Sequence, residues 1–154
     1  MHRIEHPGDS PVKERKKNMA DYKKLALAYL DEKRIKYTIM EKGAVRIGFS
    51  GDNMDSIRQY LFFDEDGEPL LQTRCWDIAK FKESKRADGI MLCNDLNREY
   101  RWVRFTIDDD GDVNVVADCY MTADSAGPIT LNIVNRMVNI IDDVYPRFMK
   151  ALWG

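Results

Sequence analysis

Histidine is nearly absent from this chain. Only His2 and His6 occur, both within the first six positions. Everything downstream therefore lacks the commonest general base and the commonest transition-metal ligand. A cysteine nucleophile activated by histidine is excluded there. Cysteine is scarce too: Cys75, Cys93 and Cys119 stand far apart and form no Cys-x-x-Cys pair. They read as reduced, mostly buried thiols of a cytoplasmic protein. The absence of any Asn-x-Ser/Thr acceptor agrees with that reading. Long apolar runs are also missing. Leu25 to Leu30 and Val138 to Ile141 fall far short of the roughly 20 residues that span a bilayer. Neither membrane insertion nor a secretory leader is expected. Charge of one sign is lacking as well, since 24 basic and 26 acidic residues leave −2. That removes the electrostatic pull toward nucleic acid or anionic lipid. No Gly-x-Ser-x-Gly, His-Glu-x-x-His, Gly-Lys-Ser/Thr or Gly-x-Gly-x-x-Gly motif is found.

What remains is a chain of 154 residues, 44% hydrophobic and 32% charged. That is enough for one domain with its own core. Residues 1–18 stand apart: five basic against three acidic residues, two prolines and almost nothing apolar. They read as a flexible basic tail, with Met19 as a conceivable alternative start. Residues 19–154 form the expected domain.

The period of the apolar residues sets the elements. Tyr22, Leu25, Ala26, Tyr29 and Leu30 recur at helical spacing, behind Asn18 as N-cap and Asp21 in the first turn. The period then becomes two. Strands are expected over 37–40, 45–49, 57–64 and 70–77, separated by Gly-containing turns. Residues 83–98 return to helical spacing, with Ala87, Ile90, Met91 and Leu96 as the inner stripe. Trp102 to Ile107 and Val113 to Met121 form a hairpin around Asp109-Asp110-Gly111-Asp112. Gly127-Pro128 breaks the chain, Thr130 caps, and a long helical pattern runs to Leu152, with a kink or break expected near Tyr145 at Pro146. The order α-β-β-β-β-α-β-β-α predicts an α+β fold on an antiparallel sheet.

Few residues suggest chemistry. With Gly111 at the sixth position of a calcium loop, Thr106 and Ala117 occupy positions one and twelve, where carboxylates belong. With Gly67, Phe62 and Thr73 fall there. Tight-turn chemistry accounts for both segments. The pairs within Asp108–Asp112 and at Asp142-Asp143 sit on a hairpin tip and a helix face, where water levels their environments. No metal and no cofactor are expected. Aromatics say more: Tyr60 and Phe62 share one face of a strand, Leu61 and Phe63 the other, and Trp76 lies with Leu70 and Arg74. Both sheet faces therefore carry large apolar groups, while helices normally cover one. Trp76 and Trp102 are the candidate partner-binding residues, facing the alternative that both lie in the core beneath a helix.

The stretch Cys93-Asn94-Asp95-Leu96-Asn97-Arg98-Glu99-Tyr100-Arg101-Trp102 resembles the YbjN-domain family of bacterial proteins. The acidic-Gly hairpin, the Gly-Pro-Ile-Thr lead-in and the Asp142-Asp143-Val144-Tyr145-Pro146 segment fit the same pattern, over about residues 19–152. The resemblance implies a regulator of sensory transduction, with a fold similar to type III secretion chaperones, which dimerise and bind unfolded segments of clients. It brings no catalytic residues. Asn94 and Asn97 match its motif and read as satisfying backbone groups near a helix end. The expectation is a non-enzymatic, homodimeric adaptor, chaperone-like module or regulator. The alternatives are a small-ligand sensor and, behind it, a carboxylate-based enzyme.

Overall fold

The computed structural model describes residues 21–64 and 66–154. The expected tail, Asn18 and Met19 lie outside the described residues, as does Glu65 of the first acidic turn. Helix α1 (Tyr22–Glu32) leads into strands β1 (Thr38–Ile39), β2 (Val45–Phe49), β3 (Ile57–Phe63) and β4 (Leu70–Lys80). A 3-10 turn (Glu83–Lys85) opens helix α2 (Arg86–Glu99). Strands β5 (Arg104–Ile107) and β6 (Asp112–Tyr120) and helix α3 (Ala126–Trp153) follow. The six strands form one antiparallel sheet in the order β1-β2-β3-β4-β6-β5. This is the expected α+β fold and element order.

Alternation along the strands assigns the two faces. Val45, Ile47, Ile57, Leu61, Leu71, Cys75, Phe105, Val113 and Val115 point inward and are buried. They meet Ile133, Val134, Met137, Ile141, Val144 and Phe148 of α3, with Cys93 and Leu96 of α2 and Leu30 of α1. The Phe148 ring lies 6.2 Å from Phe81 and 6.0 Å from Phe105. Gln59, fully buried on this face, donates from Nε2 to the Val134 carbonyl at 2.8 Å, tying β3 to α3.

Several expectations need correcting. Asp21 is the N-cap of α1, its carboxylate accepting from the Lys24 N–H, rather than a first-turn residue. Strand β4 runs on to Lys80 through an irregularity in which Asp77 has φ 59. The inner stripe of α2 is Gly89, Cys93 and Leu96, whereas Ala87, Ile90 and Met91 face solvent. The Phe81 ring explains the rotation. It lies so close to Gly89 that a Cβ there would stand 2.8 Å from it, so the helix turns its one bare position inward.

Gly127-Pro128 does not break the chain either. Both residues belong to the first turn of α3, where a missing N–H costs no helical bond. Thr130 is fully buried inside the helix rather than capping it. Gly127 admits α1: a Cβ there would stand 2.3 Å from that of Tyr29.

Nor does Pro146 break the helix, which continues 28 residues to Trp153. A proline leaves the carbonyl one turn back without its donor. That carbonyl belongs to Asp142, and Asn53 Nδ2 donates to it at 3.1 Å. The Asp142 carboxylate in turn accepts the N–H groups of Asp52, Asn53 and Met54 at 3.1, 2.9 and 2.9 Å. The β2–β3 loop is thus clamped onto the helix where the proline opens it.

Candidate functional site

No helix among the described residues is long and apolar enough to cross a membrane. The side chains that suggest function sit in places the core does not claim. Trp102 is the first. The expectation that it opens β5 is corrected: the strand starts at Arg104, and Trp102 lies before it with φ 78. The left-handed turn swings the indole off the sheet line. It is 62% exposed, with the Arg136 guanidinium 5.1 Å from its ring centroid.

That departure leaves an edge open. The β5 ladder stops at Arg104 opposite Val116. The Asp108 N–H bonds the Asp112 carbonyl, so alternation makes Val116, and after it Asp118 and Tyr120, turn their backbone groups toward this side. Among the described residues, Asp118 and Tyr120 face no strand there. Beside the open edge lies a hollow of about 450 Å³, lined by Trp102, Tyr120, Ile129, Ile133 and Arg136 among others. Tyr120 is 75% exposed.

Asn97 holds the start of β5 in place. Its amide donates to the Phe105 carbonyl at 3.0 Å and accepts the Phe105 N–H at 2.7 Å, imitating a strand partner. It satisfies backbone groups, but those of β5 rather than the expected ones near the helix end. Asn94 is exposed on the same helix.

Trp76 is the second. It stands on the outer sheet face, which none of the described helices covers, with its ring 4.9 Å from Tyr60 and 5.8 Å from Phe62. Between the pairs Cys75–Val115 and Ala79–Val113, three β4 residues (Trp76, Asp77 and Ile78) stand against one of β6, Asn114. Asn114 fills the bulge, accepting the Asp77 N–H at 3.1 Å and donating to Asp108 at 3.2 Å. Neither tryptophan is a buried core group. They do not come together: Trp76 lies four residues along β4 from Gln72, the partner of Asp118, or about 13 Å of strand.

Arginines share the outer face with Trp76, a pattern the period of the sequence left unremarked. Arg46, Arg58, Arg74 and Arg104 all belong to the outer face. One cross-strand row reads Thr38, Arg46, Tyr60, Arg74, Val116, Arg104. Arg74 pairs with Asp118 at 2.8 Å.

Among the described residues, the titratable groups show no matched acid and base. Asp108, Asp110 and Asp112 bring carboxylate oxygens within 4.8 Å of one another. Asp108, however, spends its oxygens on the turn, accepting the N–H groups of Asp110 and Asp112 at 3.0 Å and the Asn114 amide; these bonds hold it below the usual carboxylate range. Asp77 is pushed up, chiefly by desolvation and then by Asp112 and Asp108, at an exposed bulge. Burial raises the Cys75 thiol to about 12 and Cys93 to about 11, so neither is a ready nucleophile.

An antiparallel sheet with helices packed on it defines the fold class, and solved structures share that fold. The crystal structure of YbjN, "a putative transcription regulator from E. coli", superposes with a TM-score of 0.58 at 11% identity, over 79% of this chain and 89% of that one. The Yersinia pestis type III secretion chaperone SycH, in complex with a stable fragment of YscM2, superposes with a TM-score of 0.53 at 13% identity, over 78% and 96%. No curated protein matches the sequence. Residues 27–151 match the YbjN family, described as "Putative bacterial sensory transduction regulator", and the chain belongs to that family.

Proposed function

We propose that this protein is a non-enzymatic adaptor or regulator that holds an extended segment of a protein partner along the open edge of β6. The observation that carries this is the gap after Arg104. There, among the described residues, no strand pairs with Asp118 and Tyr120, which lie beside an apolar hollow with an exposed tryptophan at its mouth. Strand addition supplies affinity through main-chain bonds, and side-chain pockets supply selectivity. SycH is similar in fold and was crystallised with a fragment of another protein, which supports the reading by analogy. Trp102 is the anchor assigned to the partner segment, with Arg136 fixing its ring.

A homodimer is part of the same proposal. Its surface is the solvent side of α2, where Ile90 and Met91 are 51% and 67% exposed. Two copies of such a patch bury each other in a symmetric contact. The outer sheet face suits this less, since its arginines would face their own copies.

The test for the partner site uses a displayed library of extended peptides selected on the full chain. Selected peptides bind wild type and lose about tenfold or more in affinity on Trp102→Ala, as hot-spot aromatics do. Tyr120→Pro, which removes an edge N–H without touching the β4 ladder, weakens them likewise while the melting temperature holds. Peptides that bind both variants with unchanged affinity overturn the assignment. For the dimer, light scattering gives twice 18.0 kDa for wild type and 18.0 kDa for Met91→Lys. A wild type that stays at 18.0 kDa at micromolar concentration overturns it.

A further inference from the structure

A second hollow, of about 510 Å³, opens on the outer sheet face over β1, β2 and β3. Lys36, Arg46 and Arg58 line it, with Thr38, Ser50 and Ser56 supplying hydroxyls. Among the described residues none of these three cations makes an ion pair, whereas Arg74, Lys80 and Arg147 each do. Three converging cations without a counter-charge are unusual in a chain whose acids outnumber its bases. Asp52 and Asp55, in the loop joining Ser50 to Ser56, do not line the hollow. Asp31 stands by the Tyr37 hydroxyl at its margin and raises the Tyr37 pKa through that hydrogen bond.

Gly48 leaves this space open. It lies on the outer face opposite Arg58, and a Cβ built on it would meet nothing within 4 Å. Any side chain there projects between Arg46 and Arg58. On the other side the hollow adjoins the aromatic cluster. Tyr60 is the direct cross-strand neighbour of Arg46, and its ring touches Trp76, which is 45% exposed.

We propose that this face binds a nucleotide, the phosphate among Lys36, Arg46 and Arg58 and the base against the Tyr60–Trp76 rings. Arginine recognises phosphate oxygens in bidentate geometry, and an exposed ring stacks a base whatever its sequence. Side chains directly opposite on neighbouring strands stand about 5 Å apart, within the reach from a nucleotide's phosphate to its ring. The volume suits a small ligand. A longer polyanion would leave this patch for surface belonging to a net acidic chain, so a mononucleotide is favoured over an oligonucleotide. This site is separate from the β6 edge and stands or falls independently of the adaptor reading.

Titration calorimetry on the full chain tests it, with adenosine 5′-monophosphate, guanosine 5′-monophosphate, inorganic phosphate and a ten-residue single-stranded oligothymidylate as probes. At least one mononucleotide binds about tenfold more tightly than inorganic phosphate, through stacking. Arg46→Ala and Arg58→Ala weaken it about tenfold each, as loss of a charge-assisted contact does, and Trp76→Ala removes the preference over phosphate. Gly48→Thr abolishes binding while the melting temperature stays level or rises, because threonine suits a strand better than glycine. That variant separates a blocked site from a damaged fold. Wild type that binds neither mononucleotide at millimolar concentration overturns the proposal. So does phosphate binding as tightly as the nucleotides, or the oligonucleotide binding much more tightly than either. Unchanged nucleotide binding by Gly48→Thr overturns the placement.

Discussion

The two faces of one sheet carry different chemistry from the same alternating strands. On β3, Ile57, Gln59 and Leu61 turn inward and are buried, while Arg58, Tyr60 and Phe62 turn outward. The inner face is aliphatic and aromatic, closed by α3, and its one fully buried amide is anchored to a helix carbonyl. The outer face carries arginines and rings on neighbouring positions, and none of the described helices lies over it. Burial decides the difference. A residue beneath α3 must fill space, and the few polar side chains there are only partly satisfied. Gln59 bonds through Nε2, while its Oε1 and the Thr73 hydroxyl find no partner among the described residues. A residue on the open face keeps water as a partner and stays available to a ligand.

The largest expected effect breaks the inner face. Phe148→Ala removes the ring shared by Phe81 and Phe105 and costs about 3–5 kcal/mol by denaturant unfolding. A loss below about 1 kcal/mol would mean that this face is not the close-packed one. Next comes the helix pair that closes it. Gly127→Ala forces a methyl into Tyr29 and costs about 1–3 kcal/mol in the same measurement.

The third expectation concerns the clamp at the rim of the sheet and is read in pH. Three backbone N–H groups hold the Asp142 carboxyl below the usual carboxylate range. Below its ordinary value of about 4 the unfolded chain binds the proton more readily. The stability this carboxylate contributes is therefore complete above about pH 4 and is lost as pH falls through the lower folded value. Asp142→Asn should flatten the stability profile in that acid range. A variant profile that parallels wild type there would show that the clamp contributes nothing.

The smallest effect belongs to the outer face. Trp76→Ala should change stability by less than about 1 kcal/mol, because the indole covers no core group. A loss comparable to that of Phe148→Ala would erase the contrast between the faces.

Much of this was legible from the residues. The hairpins were, because Gly43, Gly67 and Gly111 all adopt positive φ between runs of period two. The sheet's double apolar character was legible from Tyr60 and Phe62 against Leu61 and Phe63. The facing of α2 was not, because it depends on the Phe81 ring, which selects Gly89 over the more apolar Ile90 and Met91. Trp76 and Trp102 were singled out as side chains worth placing, but their alternation could not separate an exposed ring from one under a helix. The hollow at Lys36, Arg46 and Arg58 gave no signal, since its cations come from three separate segments that only strand register brings together.

The sequence by itself determined the element types and their order, because periods of two and 3.6 and the turn glycines are local properties of the chain. It also excluded histidine chemistry from everything after His6. Tertiary structure alone decided how the local rules were overridden. Pro146 stays within a helix because Asn53, ninety-three positions earlier in the chain, takes the carbonyl it frees. Trp102 leaves β5 through a left-handed turn, and β6 keeps an open edge. The physical reason is common to both: an orphaned backbone group or an unpaired edge is stable only if something distant, or water, completes it, and no local pattern records what that partner is.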